Sequence, residues 1–204
     1  MRVRLKHWRT ALSGAGLLRV CQYTFFLAGL ALLGYAAAVW LDACFYQRNE
    51  ELAFEEAREH AATGGPGRSA PLIRHAVLGK IDIPQLGVSA MIAEGDDPHT
   101  LKRAVGHVAG TALPGASGNV VLAAHRDTFF RPLRKIRTGD AIELTTWSGS
   151  YRYRVESVQV VGPNDTGVLE PTSQPKLTLV TCFPFYFVGS APRRFIVRAG
   201  LIPG

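Results

Sequence analysis

The sequence predicts an all-β domain, a small barrel or sandwich, behind a single transmembrane helix. One uniformly apolar stretch near the N-terminus predicts the helix. After residue 72 the apolar runs are short, rich in Val and Ile and separated by Gly, Pro or Asp, which is typical of β-strands. Predicted strands are 78–83, 88–93, 120–124, 141–145, 151–161, 177–181 and 195–199, and predicted helical stretches are 97–104 and 129–136.

The transmembrane helix is predicted at residues 23–41, nineteen residues without a formal charge. At about 1.5 Å per residue its length approaches the roughly 30 Å of bilayer hydrocarbon. Residues 1–22 carry five Lys or Arg and no acid, so the positive-inside bias predicts a cytoplasmic tail and an extracytoplasmic domain. A cleaved secretory signal is the competing interpretation, because residues 36–38 are small. Bulky residues at 39–41 continue the apolar run and favour a retained anchor.

Residues 42–71 are predicted to form a membrane-proximal stalk and linker. Within them, residues 49–63 combine strong helix formers with acidic residues and lack a sustained apolar face, which predicts a solvated helix. Residues 64–69 (GGPGRS) are rich in helix breakers and are expected to uncouple this helix from the folded domain. That domain is predicted at residues 72–204.

The formal net charge of +7 does not indicate nucleic-acid binding. Five positive charges belong to the predicted cytoplasmic tail, where they set the orientation of the helix in the membrane. Residues 72–204 hold fifteen Lys or Arg against ten acids, without a basic run, which fits solubility or loose attraction to an anionic surface. Aspartates are scattered without the spacing of an oxygen-ligand loop, so neither a metal site nor a cofactor is predicted.

The three cysteines do not form an obvious disulfide. Cys21 and Cys44 lie at opposite ends of the apolar helix and cannot meet within one chain. Cys182 is then an unpaired thiol in a compartment that favours disulfides. Two interpretations stay open on this ground, a reactive thiol and a small buried hydrophobic residue.

Three chemically capable side chains lie at ends of predicted strands. His125 follows one apolar run, Cys182 ends another, and Arg193 and Arg194 precede the last. In so small a fold we expect one rim of the barrel to hold all three. A thiolate is nucleophilic, an imidazolium can protonate a leaving amine, and a guanidinium can stabilise an oxyanion, so the set predicts acyl transfer from a peptide bond. Neighbouring arginines alternate between faces, so only one of the two can point inward.

The motifs around these residues resemble those of sortases. Residues 178–182 (TLVTC) resemble the family's TLxTC signature, and residues 194–197 (RFIV) resemble the strand that begins with its essential arginine. Residues 118–130 (GNVVLAAHRDTFF) are similar to the histidine motif, and LEPT at 169–172 fits the connection before the cysteine strand. The resemblance covers roughly residues 78–200 and is strongest to class D.

This resemblance implies a closed β-barrel of eight strands with short helices. It also implies a membrane-anchored transpeptidase that cleaves an LPxTG-type C-terminal sorting signal through a cysteine thioacyl intermediate and transfers the acyl group to a cell-envelope amine. The implied partners are proteins with that signal, the amine acceptor and membrane lipid. By matching positions, Cys182 is the nucleophile, His125 the general acid/base and Arg194 the stabiliser of the oxyanion or substrate. The candidate substrate-binding residues are Thr181, Phe183, Phe185 and Arg193.

Other functions compatible with the same motifs are an anchored thiol hydrolase, in which water resolves the acyl-enzyme, and a catalytically silent barrel that binds peptide or wall polymer. One departure from the family pattern is Ala124, which stands where relatives have glycine before the histidine. We expect the loop to tolerate this small change. No long lid insertion is evident, which favours general anchoring over pilus assembly.

Two further groups have open or structural interpretations. The aromatic residues of FPFYF, from Phe183 to Phe187, either cover the core or line an apolar groove. His107 is predicted to be a packed structural histidine and His99 a solvated helix residue.

Overall fold

The computed structural model describes residues 14–62, 77–187 and 189–202. It divides into two units, Met1–Asp42 and Ala43–Gly204. Much of the predicted basic tail, and the predicted linker at 64–69, lie outside the described residues.

The N-terminal unit is helical. Helix α1 (Gly14–Ala62) begins there and ends in the second unit. The described residues include one helix long and apolar enough to cross a membrane, and its large apolar side chains between residues 17 and 41 are exposed. The predicted long apolar N-terminal helix is therefore confirmed by its length and composition.

The second unit is a closed eight-stranded barrel, with the strands in the order β1-β2-β3-β4-β7-β8-β6-β5. This confirms the closed eight-stranded barrel that the motifs imply. Each predicted strand lies within an observed one or differs by one residue at an end, and three-residue β3 is an addition. The strands are β1 (Val77–Ile83), β2 (Val88–Glu94), β3 (Val105–His107), β4 (Asn119–Ala123), β5 (Ala141–Thr146), β6 (Gly149–Val161), β7 (Lys176–Phe183) and β8 (Arg193–Leu201).

Short helical segments connect the strands. Helix α2 (Pro98–Arg103) begins where expected, because Asp97 caps it by accepting from the amides of His99 (2.9 Å) and Thr100 (3.3 Å). The hydrogen bond from the Thr100 hydroxyl, followed by those two amides, lowers the pKa of the Asp97 carboxyl. The 3₁₀ segments are Pro84–Leu86, Arg131–Lys135 and Thr166–Leu169.

The barrel is filled rather than hollow. Alternation along each strand directs one set of side chains inward. Fully buried members of this core include Ile81, Leu122, Leu144, Tyr153 and Leu177. Strands β4 and β7 pair in parallel, whereas β7 and β8 pair in antiparallel fashion, so the histidine, cysteine and arginine motifs lie on three adjacent strands.

Within the second unit, the end of α1 packs on the barrel. Gln47 accepts from the amide of Met91 (2.7 Å) and donates to the carbonyl of Arg103 (2.6 Å). Phe54 is 2% exposed and forms a small apolar cluster with Val77 and Met91. Most residues from 49 to 59 are exposed, which agrees with the predicted solvated helix, but Phe54 and a few polar contacts dock it on the barrel. These contacts are too few to produce an apolar stripe in the sequence.

Candidate active site

Cys182 lies on the outer wall of the barrel near the end of β7. Leu177 and Leu179 of the same strand belong to the interior core, so the alternation of side chains directs Cys182 to the opposite face. The thiol is unpaired and half-buried. The expectation of a site at one rim of the barrel stays a prediction: Cys182 lies next to the end of β7, with its side chain on the outer face of the wall. The candidate site is a surface of the β4-β7-β8 wall, because the interior is already occupied by apolar side chains.

Arg194 is the cross-strand partner of Cys182. Directly paired residues in an antiparallel sheet project to the same face, so the guanidinium and the thiol share the outer wall. Arg194 is half-buried, and its Nη1 donates to the carbonyls of Ala191 and Arg193, each at 3.1 Å. Arg193 pairs instead with Phe183 and is exposed. By register, Arg194 rather than Arg193 accompanies the thiol, and it does so facing outward.

His125 lies two residues beyond the end of β4. The parallel register of β4 and β7 runs as far as Ala123 opposite Val180, and the Ala124 amide then donates to the Val180 carbonyl at 3.3 Å. Extending this register by two residues sets His125 beside Cys182. Both residues are half-buried. The three motifs therefore converge on one patch of the outer wall.

A tight turn fixes the chain after the histidine. The carbonyl of His125 accepts from the amides of Thr128 (3.4 Å) and Phe130 (3.3 Å). Phe130 and Leu133 are fully buried in the core. The apolar residues thus anchor the far end of the turn while its polar start remains at the surface.

Thr181 faces away from the thiol. It is 3% exposed, and its hydroxyl donates to the carbonyl of Ala124 at 2.7 Å. This hydrogen bond joins β7 to Ala124, the residue that precedes His125. The position suits support of the site rather than direct contact with a substrate.

The aromatic residues that follow Cys182 divide into two groups. Phe183 and Phe185 pack against the core with Phe195, the ring centroids being 6.2 Å and 5.1 Å from that of Phe195. Tyr186 and Phe187 are 74% and 43% exposed. Phe183 and Phe185 therefore cover the core, which was one of the two interpretations. Tyr186 and Phe187 remain available at the surface to line a groove, which was the other.

Asn119 fixes the connection before β7. It is buried, accepts from the hydroxyl of Thr178 (2.7 Å) and donates to the carbonyls of Val168 (3.0 Å) and Glu170 (3.2 Å). The short helical segment Thr166–Leu169 is thereby held against the outer wall. Sequence reasoning gave Asn119 no role, since an asparagine at a strand start is also a common turn residue.

His107 is structural, as predicted. It is 2% exposed; its Nδ1 lies 2.8 Å from a carboxylate oxygen of Glu94, and its Nε2 lies 3.0 Å from the Ala112 carbonyl and 3.1 Å from the Thr111 hydroxyl. Both ring nitrogens are therefore engaged inside the fold.

A second arginine joins the histidine turn to the loop after the cysteine. Arg126 directs its guanidinium at three backbone carbonyls in residues 184–189 and over the ring of Phe187, with 5.8 Å from Cζ to the ring centroid. The resemblance assigned no role to this residue. Nothing in the spacing of the sequence indicates which of many arginines makes such contacts.

The fold and this patch define a class of protein, a closed barrel with a free thiol, an arginine and a histidine on its outer wall. Comparison with known proteins then gives the family. Residues 81–202 match the sortase domain. The chain belongs to the sortase family.

Individual relatives agree with this assignment. Sortase D of Bacillus subtilis is 34% identical over 120 residues, which are 58% of this chain and 61% of that protein. Sortase A of Listeria monocytogenes is 29% identical over 113 residues, 53% of this chain and 50% of that protein. The chain thus spans less than two thirds of the length of these relatives. The similarity to sortase D agrees with the predicted class.

Solved structures show the same fold. A sortase D5 transpeptidase of Clostridium perfringens has a TM-score of 0.63 at 29% identity, covering 79% of this chain and 99% of that chain. A lid mutant of sortase A from Corynebacterium diphtheriae has a TM-score of 0.60 at 27% identity, covering 75% and 93%.

Proposed function

We propose that this protein is a membrane-anchored cysteine transpeptidase that cleaves an LPxTG-like sorting signal and transfers the new acyl end to an amine of the cell envelope. The observation that carries the proposal is the direct cross-strand pairing of Cys182 with Arg194 beside the end of the histidine strand. Membership of the sortase family supports the same reaction.

In the first half-reaction the thiol proton of Cys182 passes to His125, and the sulfur attacks the scissile carbonyl so that a carbon–sulfur bond forms. Arg194 stabilises the negative charge that develops on the carbonyl oxygen, a role that its fixed charge and several N–H donors suit. As the carbon–nitrogen bond breaks, His125 donates a proton to the leaving amine. The product is a thioester on Cys182.

In the second half-reaction an acceptor amine attacks the thioester carbonyl. His125, now neutral, accepts the amine proton, and the sulfur leaves as the new amide forms. The surface location of the thiol supports this proposal, because a large acceptor can approach the outer wall without entering a cavity. The apolar helix α1 supports the anchoring. The five positive charges of residues 1–22 support a cytoplasmic N-terminus with the barrel outside.

The experiment is a ligation assay with the full-length chain in detergent micelles, a peptide containing LPxTG and an amine acceptor. We expect a ligated product from the wild type and none from Cys182→Ala. Cys44→Ala is the matched control, since Cys44 is also a free cysteine but lies on α1. Equal ligation by Cys182→Ala and the wild type would refute the mechanism. Omission of the amine reports hydrolysis and tests the hydrolase alternative.

A further inference from the structure

The histidine turn and the segment after the cysteine are joined by one side chain. Arg126 directly follows His125, and its guanidinium donates to residues that follow Cys182 in the chain. This side chain therefore bridges the two halves of the proposed site. The acceptors are the carbonyl oxygens of Pro184 (3.1 Å), Phe187 (2.7 Å) and Gly189 (3.1 Å).

The segment that Arg126 holds is the β7–β8 loop, residues 184–187 and 189–192 among those described. Tyr186 is 74% exposed and Phe187 43% exposed, so neither side chain is fully buried by the loop. Polar contacts consequently matter more to its order than they do in the barrel. Arg134, with Cζ 5.3 Å from the centroid of the Tyr186 ring, adds a weaker contact.

An arginine suits these contacts for geometric reasons. A planar guanidinium offers several N–H donors in a fixed fork and can serve carbonyls in different directions while stacking on an aromatic ring. Here Nη1 serves Pro184 and Nη2 serves Phe187 and Gly189, with the Phe187 ring nearby. A lysine ammonium is a single point charge and cannot span the same set.

We propose that Arg126 is a positioning residue, which holds the β7–β8 loop as a wall of the substrate approach to Cys182. The proposal rests on the proposed function, since it names a role within that site. Arg126 acts through the loop backbone and not on the reacting atoms. Pro184 is only two residues after Cys182 in the chain. If the hydrogen bond from Arg126 to the Pro184 carbonyl is lost, the loop no longer has a fixed position relative to the thiol.

Two variants and a control test the proposal in the full-length chain. Arg126→Gln removes the charge and most of the fork, and Arg126→Lys retains the charge without the fork. Arg131→Gln is the control, because Arg131 is an exposed arginine at the start of the neighbouring 3₁₀ segment. Thermal unfolding of each variant verifies that the barrel remains folded.

Hydrogen exchange of the loop amides is the first readout. We expect the amides of residues 185–187 and 189–191 to exchange about tenfold faster in both Arg126 variants, with the barrel strands unchanged, because charge-assisted hydrogen bonds hold the loop. If these amides exchange at the wild-type rate in Arg126→Gln, the proposed contact is overturned. Full restoration of the wild-type rate in Arg126→Lys would overturn it as well. This readout requires no enzymatic activity.

Ligation kinetics are the second readout. We expect KM for the sorting peptide to rise about tenfold while kcat stays within about threefold of wild type, since the chemical groups are intact. Faster exchange with an unchanged KM would mean that the loop does not serve substrate binding and would overturn the positioning role. If the wild type does not ligate at all, the proposed function fails and the positioning role with it, whereas exchange still decides whether Arg126 holds the loop.

Discussion

Phe54 of α1 packs edge-on against Trp147 of the barrel, with their ring centroids 4.4 Å apart and the ring planes at 63°. The Trp147 indole N–H donates to the carbonyl of Val77 at 2.9 Å, which fixes the ring that receives Phe54. Because both residues belong to the second unit, the end of α1 is part of the folded barrel domain. The barrel thus gains an aromatic contact that its own strands do not supply.

Removal of this contact should destabilise the domain. We expect Phe54→Ala to lower the free energy of unfolding by about 3 kcal/mol, since a buried aromatic side chain is lost and a cavity remains. Denaturant unfolding of the full chain in detergent, followed by tryptophan fluorescence, measures this loss of stability. Leu52→Ala, at an exposed position on the same helix, is the control. Equal effects of the two substitutions would contradict the docking.

The ion pair between Lys80 of β1 and Glu51 of α1, with Nζ to Oε1 at 2.5 Å, should couple the helix to the barrel. We expect a double-mutant cycle of Lys80→Met and Glu51→Gln to give a coupling of about 0.5–1 kcal/mol, because both groups are partly exposed to solvent. A coupling energy of zero would show that the pair contributes nothing to docking.

The same pair has a defined pH dependence. Burial alone lowers the pKa of Lys80, but the hydrogen bond to Glu51 and the nearby carboxylates of Asp82, Glu51 and Glu55 outweigh it and raise the pKa above its ordinary value. A cation with a raised folded-state pKa stabilises the fold fully below its unfolded-state pKa, and this contribution is lost as pH rises through the folded-state pKa. We therefore expect the coupling to persist at neutral pH and to disappear in strong alkali; an increase in alkali would contradict this assignment.

The two adjacent arginines should differ sharply in the ligation assay. We expect Arg194→Gln to lower kcat/KM by about 10²–10³-fold, the range seen when one stabilising donor to an oxyanion is removed. Arg193→Gln should change it by less than about threefold, because its register directs it away from Cys182. The reverse order of effects would mean that Arg193 is the residue that stabilises the oxyanion.

Asn119 should matter to the connection before β7. We expect Asn119→Ala to cost about 1–3 kcal/mol, because buried hydrogen-bonding groups lose their partner. Hydrogen exchange should rise in residues 166–170, which Asn119 contacts. Asn164→Ala, exposed in the same connection, is the control, and exchange that rises equally there would argue against a specific anchor.

The sequence predicts the barrel well because its signals are local. Val- and Ile-rich runs separated by turn residues mark seven of the eight strands, whereas β3 has only the three residues Val105–His107 and is too short to show a period. The capped helix α2 is equally readable from Asp97 and Pro98. Closure of the barrel is not local, and only the resemblance of the motifs implied it.

In the candidate site, too, the local features are predictable from the sequence and the non-local ones are not. Cys182, His125 and Arg194 are conspicuous because their residue types and motifs are unusual at strand ends. Their outward orientation depends on which face of β7 the core fills, and that depends on strand register across the whole barrel. The contacts of Arg126 and Phe54 depend on segments distant in sequence, so no pattern around either residue predicts them.

The outward orientation of Cys182 has a consequence for the size of what can reach it. A thiol inside a barrel would admit only an extended end, threaded through an opening of fixed width. On the outer wall, a polypeptide can lie across the strands, and the filled interior of the barrel does not limit its size.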